Sequence, residues 1–236
     1  MPAPSWAALL LLLTGVALAQ PPAIPLFSAL PAGGEIRGWR PLKPAPLAPD
    51  TRYTLEDDGG LVVVRAEAVA AMSGLVHTLR VPAAQLGTLQ WRWRIRAPVA
   101  SADLREKSGD DYAARVYVLF DYPRARLSWT TRAKLALAEA LYGQPLPTAA
   151  LNYVWDNLQP VGTVRPNAYT DRARLIVLES GAARAGEWVT ETRDLAADFR
   201  AAFGEAPPDL SGIAIATDTD NTGEHATAWF GDLVLH

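Results

Sequence analysis

Between Thr217 and Asp232 the chain reads TDTDNTGEHATAWFGD, which crowds oxygen-bearing side chains into a few positions. Asp218, Asp220, Thr222 and Gly223 match the D-x-D-x-T-G opening of a calcium loop, in which oxygen ligands alternate around the ion and glycine permits the sharp turn. The twelfth position, where such a loop needs a bidentate glutamate, is Trp229, and the following residues have strand character, so this is no EF-hand. A calcium site of the sandwich type stays open, with Asp218, Asp220, Asn221, Glu224 and Asp232 as hard oxygen ligands. A plain acidic turn competes with it, because turns select Asp, Asn, Thr and Gly for their own reasons.

The same carboxylates raise the question of acid and base catalysis. Glycoside cleavage needs two carboxyl groups about 5 to 10 Å apart, one kept protonated and the other ionised. Asp218 and Asp220 are two strand rises apart, about 7 Å, but their polar neighbours favour two solvated, ionised groups. Asp110 and Asp111 form a second acidic pair, followed by YAARVYVLF. Along that run Ala113, Arg115, Tyr117 and Leu119 share one face, and Ala114, Val116, Val118 and Phe120 the other. An arginine between apolar strand neighbours needs a carboxylate, since a lone buried charge is costly. Asp218, Asp220 and Asp232 are the candidates. Two readings follow: Asp111, Arg115 and Tyr117 at the floor of a cleft that holds a hydroxylated or anionic ligand, or an internal salt bridge between strands.

A third set combines rings with amides: Asn152, Tyr153 and Trp155, then Asn167 and Tyr169. Sugars offer apolar faces to rings and hydroxyls to amides, so this set suits a saccharide platform, with Asn152 and Asn167 expected in loops. Nucleophilic chemistry finds little support. The three histidines carry no motif, no G-x-S-x-G or H-E-x-x-H occurs, and the glycines form no phosphate cradle.

These residues must be positioned by extended segments. GTLQWRWRIRA alternates, placing Leu89, Trp91, Trp93 and Ile95 on one face and Gln90, Arg92, Arg94 and Arg96 on the other. GGLVVVRAEA, YAARVYVLF, RLIVLES, EWVTET, GIAIAT and ATAWFGDLVLH also have strand character and follow turn residues, giving at least seven strands. Several are apolar on both faces, which suits two sheets packed face to face. TTRAKLALAEALYG and TRDLAADFRAAFG have helical spacing with caps and glycine stops, and each is expected to cross between sheet edges. The fold class expected is a mainly β, single-domain, jelly-roll-like sandwich with two short helices.

Residues 1–19 combine an apolar run from Trp6 to Leu13 with Ala17-Leu18-Ala19, a small-x-small pattern, and are expected to form a cleaved export signal. Residues 20–49 are proline-rich and expected to lie along the surface, with Trp39 as an anchor; residues 50–236 form the sandwich domain. The chain has no cysteine, which removes disulfides, thiolate metal sites and thiol nucleophiles. Its net charge is −3, and its densest basic set, Arg92, Arg94 and Arg96, alternates along a strand, which argues against nucleic acid as a partner.

DDYAARVYVLFD, LNYVWDN, NAYTDRARLIVLESG and the run from EWVTETRD through ATDTDNTGEHATAWFGDL resemble the bacterial family called domain of unknown function 3047, from about Leu61 to Leu233. The resemblance implies an exported bacterial protein with a sandwich similar to carbohydrate-binding modules and galactose-binding-like domains, and brings no activity or catalytic residue. The expectation is a periplasmic or secreted domain that binds a glycan or small polar ligand without catalysis, with structural calcium an open question and no transmembrane span in the mature chain. The alternatives are a polysaccharide hydrolase using paired carboxylates and a structural or interaction protein.

Overall fold

The computed structural model describes residues 23–142 and 148–236. The export signal expected over residues 1–19 lies outside the described residues. Among them twelve strands follow in order: β1 (Arg40–Leu42), β2 (Arg52–Asp58), β3 (Leu61–Val69), β4 (Met72–Val81), β5 (Thr88–Ile95), β6 (Arg115–Phe120), β7 (Ala149–Asp156), β8 (Val164–Pro166), β9 (Ala173–Ser180), β10 (Val189–Asp194), β11 (Leu210–Asp218) and β12 (His225–Leu235). Helix α1 (Trp129–Tyr142) lies between β6 and β7, and α2 (Leu195–Phe203) between β10 and β11. A seven-stranded sheet in the order β1-β4-β11-β6-β7-β9-β8 faces a five-stranded sheet in the order β10-β5-β12-β3-β2. The fold is therefore a jelly-roll-like β-sandwich. Among the described residues no helix is long and apolar enough to cross a membrane.

Alternation on β5 and β7 explains how the layers meet. Trp91 and Trp93 point inward from β5 and meet Tyr153 and Trp155 from β7; all four are buried. Trp91 and Trp93 pack edge to face at 5.6 Å, Trp91 lies 5.2 Å from the Tyr153 ring, and Trp93 lies 6.1 Å from Trp155. On the opposite face of β5, Arg92 and Arg94 cover the Trp188 ring, and Arg94 also covers Trp229, so this basic row is stacked on indoles.

Helix α2 forms where its caps dictate. Asp194 accepts from the Ala197 amide at 2.8 Å, and Gly204 closes the helix in the left-handed region at φ 74°. Its buried Phe199 packs on Phe120 at 4.7 Å. α2 passes between the sheets, as expected, but from the edge strand β10 to β11, which is an inner strand of the large sheet, whereas α1 joins β6 and β7, which are neighbours in one sheet. The proline-rich segment lies closer in than a surface leader: Ile24, Phe27 and Trp39 are buried in the core, and residues 40–42 form edge strand β1 on β4. The Trp39 and Phe27 rings are 5.0 Å apart, and Trp39 Nε1 donates to the Pro25 carbonyl. Strand β7, not among the expected strands, is buried on both faces, which erases most of the alternation that would reveal it.

On edge strand β10, Glu191 is paired with Trp91 in register and half-buried, with no partner for Oε1. Burial pushes its carboxyl up to about 7, the neighbouring charge of Glu179 adds to the rise, and Arg193 and Arg184 pull it back. Its folded pKa is above the unfolded value, so its contribution to stability is fully present below about pH 4.5 and is lost as pH rises through about 7. Urea denaturation across that window is expected to show this decline in the native protein and a flatter profile in Glu191→Gln. Trp93→Ala is expected to cost about 3–5 kcal/mol in the same measurement, from lost burial and the cavity between the layers.

Candidate functional site

The outer face of the large sheet carries a polar row on β6 and β7 among small and apolar neighbours. Arg115 on β6 is in register with Ala216 on β11 and Val154 on β7, and Tyr117 with Ala214 and Asn152. Further along, Leu119 is opposite Gly212 and Ala150. Small neighbours let the Arg115 side chain lie down along the sheet, where it is only 3% exposed. Its Nε donates to Asp218 Oδ1 at 2.7 Å and its Nη2 to Asp218 Oδ2, a bidentate pair between neighbouring strands. Nη2 also donates to the Asp110 carbonyl, and Nη1 donates to the Tyr117 hydroxyl at 3.1 Å. The Tyr112 ring lies under the guanidinium at 4.2 Å.

Two loops close over this pair. Asp111, fully buried, accepts from the Thr222 amide at 2.6 Å through Oδ2 and from the Asn221 amide and Nδ2 through Oδ1. Asp110 Oδ2 accepts from Asn167 Nδ2 at 2.8 Å. The Tyr169 hydroxyl donates to Asn221 Oδ1 at 2.7 Å, and the exposed Tyr169 ring has the Lys107 ammonium 5.2 Å from its centroid. One carboxylate oxygen each from Asp111, Asp218 and Asp220 lies within 4.8 Å of the others.

Burial pushes Asp218 upward, and the Arg115 guanidinium pulls it back. Burial works against the Arg115 charge too, but Asp218 and the other groups around it hold its pKa well above the usual value. Asp220, half-buried, is raised by burial and by the charge of Asp111. Burial also raises the Tyr117 hydroxyl, with Arg115 opposing, so the phenol keeps its proton.

The structure brings Asp111, Arg115, Tyr117, Asn152, Asn167, Tyr169, Asp218, Asp220 and Asn221 to one region of the large sheet. Asn152 is on strand β7, not in a loop, because 149–156 is extended and sends Leu151, Tyr153 and Trp155 to the core. Tyr153 and Trp155 therefore form no saccharide platform: Tyr153 donates to Asp198 Oδ2 at 2.7 Å and Trp155 Nε1 to the Gly181 carbonyl at 3.0 Å, both between the sheets. Glu224 turns away from the other acids. It accepts from the Ala100 and Ser101 amides and the Ser101 hydroxyl, and these bonds lower its pKa. Asp232 faces the five-stranded sheet's outer side, where it accepts from the Ser28 amide and hydroxyl beside a cavity of about 260 Å³. Both are thus removed from the oxygen set expected around Asp218. Tyr112, which supports the guanidinium, opens the run YAARVYVLF, but it precedes β6, and strict alternation would put it on the face away from Arg115, so the sequence did not single it out.

The chain matches the family described as Protein of unknown function (DUF3047) over residues 37–234 and belongs to it. No protein of curated function matches the sequence. Among solved structures it is similar to the family 30 carbohydrate-binding module of the cellulosomal cellulase Cel9D-Cel44B of Clostridium thermocellum, at 10% identity and TM-score 0.38, over 91% of this chain and 96% of that one. It is similar also to endoglucanase 3 of family GH12 from Trichoderma harzianum, at 10% identity and TM-score 0.42, over 93% and 99% of the two chains. The xyloglucanase domain of NopAA from Sinorhizobium fredii, in complex with cellobiose, matches at 8% identity and TM-score 0.37, over 78% and 92%.

Removing one partner of the buried pair strands the other charge. Arg115→Met is expected to lower unfolding free energy by roughly 3–5 kcal/mol. The double variant Arg115→Met/Asp218→Leu is expected to recover part of that loss in the same denaturant titration, since Asp218 is no longer stranded, while Asp110, 3.5 Å from the same guanidinium, still loses its cation.

Proposed function

We propose that this is an exported envelope protein whose large-sheet outer face binds a hydroxyl-rich ligand of the glycan class without cleaving it. The observation that carries this reading is the pairing of Tyr117 and Asn152 across β6 and β7. Asn152 is buried, and its side-chain carbonyl has no donor. Tyr117 is half-buried; its hydroxyl accepts from Arg115, which leaves its own proton to donate. An unmet acceptor and a free donor thus stand on adjacent strands, about 5 Å apart at the sheet, with Ala150, Val154, Ala214 and Leu175 as their neighbours on that face. A polyol offers both complements from neighbouring hydroxyls. At the rim, the exposed Tyr169 ring beside Asn167 supplies a flat surface on which a sugar ring stacks.

The arrangement of acids favours binding over hydrolysis. Asp218 is committed to Arg115 through both oxygens, and Asp111 to loop donors through both of its own. Neither stands free across an open cleft from a second carboxyl group, as paired-carboxylate cleavage requires. Export rests on the N-terminal sequence alone.

The test is retention on an array of bacterial and plant polysaccharides, followed by calorimetry on any that bind. The native protein is expected to bind, and Tyr117→Phe and Asn152→Ala to bind at least tenfold more weakly with unchanged circular dichroism. An array on which the native protein binds nothing, or variants that bind as it does, would defeat the proposal. Release of reducing ends from a bound polysaccharide would favour the hydrolase instead.

A further inference from the structure

The acids around Arg115 outnumber the positive charge that serves them. Asp110, Asp111 and Asp218 are each at most 5% exposed, Asp220 is half-buried, and the bonded cation among them is one guanidinium. Arg115 has five N–H donors. One serves Asp218 Oδ1, the two on Nη2 serve Asp218 Oδ2 and the Asp110 carbonyl, and one on Nη1 serves the Tyr117 hydroxyl. The Asp110 side chain shows the shortfall. Its Oδ1 is buried, has no hydrogen-bond donor, and faces into the cluster 3.5 Å from an Nη2 whose hydrogens are already used. Buried carboxylates in this proportion are costly unless a further positive charge joins them.

We propose that this cluster takes up one divalent cation of the calcium class, held by Asp111, Asp218 and Asp220, with the neighbouring Asp110, whose Oδ1 has no hydrogen-bond donor, adding negative charge. Calcium sits 2.3–2.6 Å from oxygen ligands, so two oxygens on one ion are at most about 5 Å apart. The oxygens of Asp111, Asp218 and Asp220 meet that limit, lying within 4.8 Å of one another. All the donors are hard oxygens, and the chain has no cysteine to add softer ones. Asp220 is the most accessible of the three, half-buried where Asp111 and Asp218 are buried, so an arriving ion meets it first. The ligand set differs from the one the loop suggests by itself: Glu224 and Asp232 lie outside the group of converging oxygens, held at Ser101 and Ser28, and take no part. Bound there, the ion ties residues 110–111 to residues 218–220 and braces both flanks of Arg115.

The proposal stands apart from the glycan reading and is tested without a glycan. The purified protein is stripped with EDTA, then titrated with calcium chloride by calorimetry and by thermal melting, with terbium emission sensitised by the nearby tyrosines as a third readout. The expected result is one ion per chain and a Tm that falls on stripping and returns on addition. Asp220→Asn, outside the Arg115 pair, is expected to bind calcium at least tenfold more weakly while its circular dichroism is unchanged. Asp232→Asn is expected to bind as the native protein does. No heat with an unmoved Tm would overturn the proposal, as would Asp220→Asn binding with native affinity. Calcium uptake without glycan retention would leave this site standing and remove the other reading.

Discussion

The buried bidentate pair between Arg115 and Asp218 is the constraint around which the outer face of the large sheet is organised. Two charges taken out of water must recover their solvation from the protein, and one ion pair does not satisfy five N–H donors and four carboxylate lone pairs. The surrounding chain adds two acceptors, the Asp110 carbonyl and the Tyr117 hydroxyl, and the Tyr112 ring beneath the guanidinium. Ala216 and Ala214 opposite β6 leave the side chain room to lie flat. The pair also joins two neighbouring strands that come from distant parts of the chain, so its geometry depends on β11 pairing with β6 in one register.

That register is held by the opposite face. Val116, Val118 and Phe120 on β6, and Ile213 and Ile215 on β11, point into the core against the aromatic cluster of Trp91, Trp93, Tyr153 and Trp155. A slip of one residue would exchange these with Arg115 and Ala216, placing a guanidinium among indoles. The inner apolar set and the outer polar row are thus two results of a single pairing. Asp111 extends the same control to the loop after β11 by holding the Asn221 and Thr222 amides. The local backbone of the acidic turn follows from a residue more than a hundred positions earlier in the chain.

Much of this was legible in one dimension. Alternation on GTLQWRWRIRA assigned the two faces of β5 correctly, and the parity of YAARVYVLF put Arg115 and Tyr117 together on the face away from Val116 and Phe120. The caps Asp194 and Gly204 marked α2. Tyr153 and Trp155 were misread because aromatic rings beside an asparagine fit a sugar platform and a core equally well, and a strand buried on both faces shows little contrast between its neighbours. Asp232 was misassigned for a related reason. Closeness along the chain to Asp218 means little once β12 intervenes and carries it to the other sheet, where Ser28 holds it.

The order of residues by itself determined that this chain makes two β-layers without disulfides, that an arginine on β6 must find a carboxylate, and that acids gather after β11. Period-two patterning and the cost of an unpaired buried charge are local demands, and they are visible wherever the residues stand. Which acid answers Arg115, which carboxylates converge with it, and which rings disappear into the core were decided only by tertiary structure. Those outcomes depend on strand order and register between segments a hundred residues apart, and several acids offer the same chemistry until the sheets select one by distance.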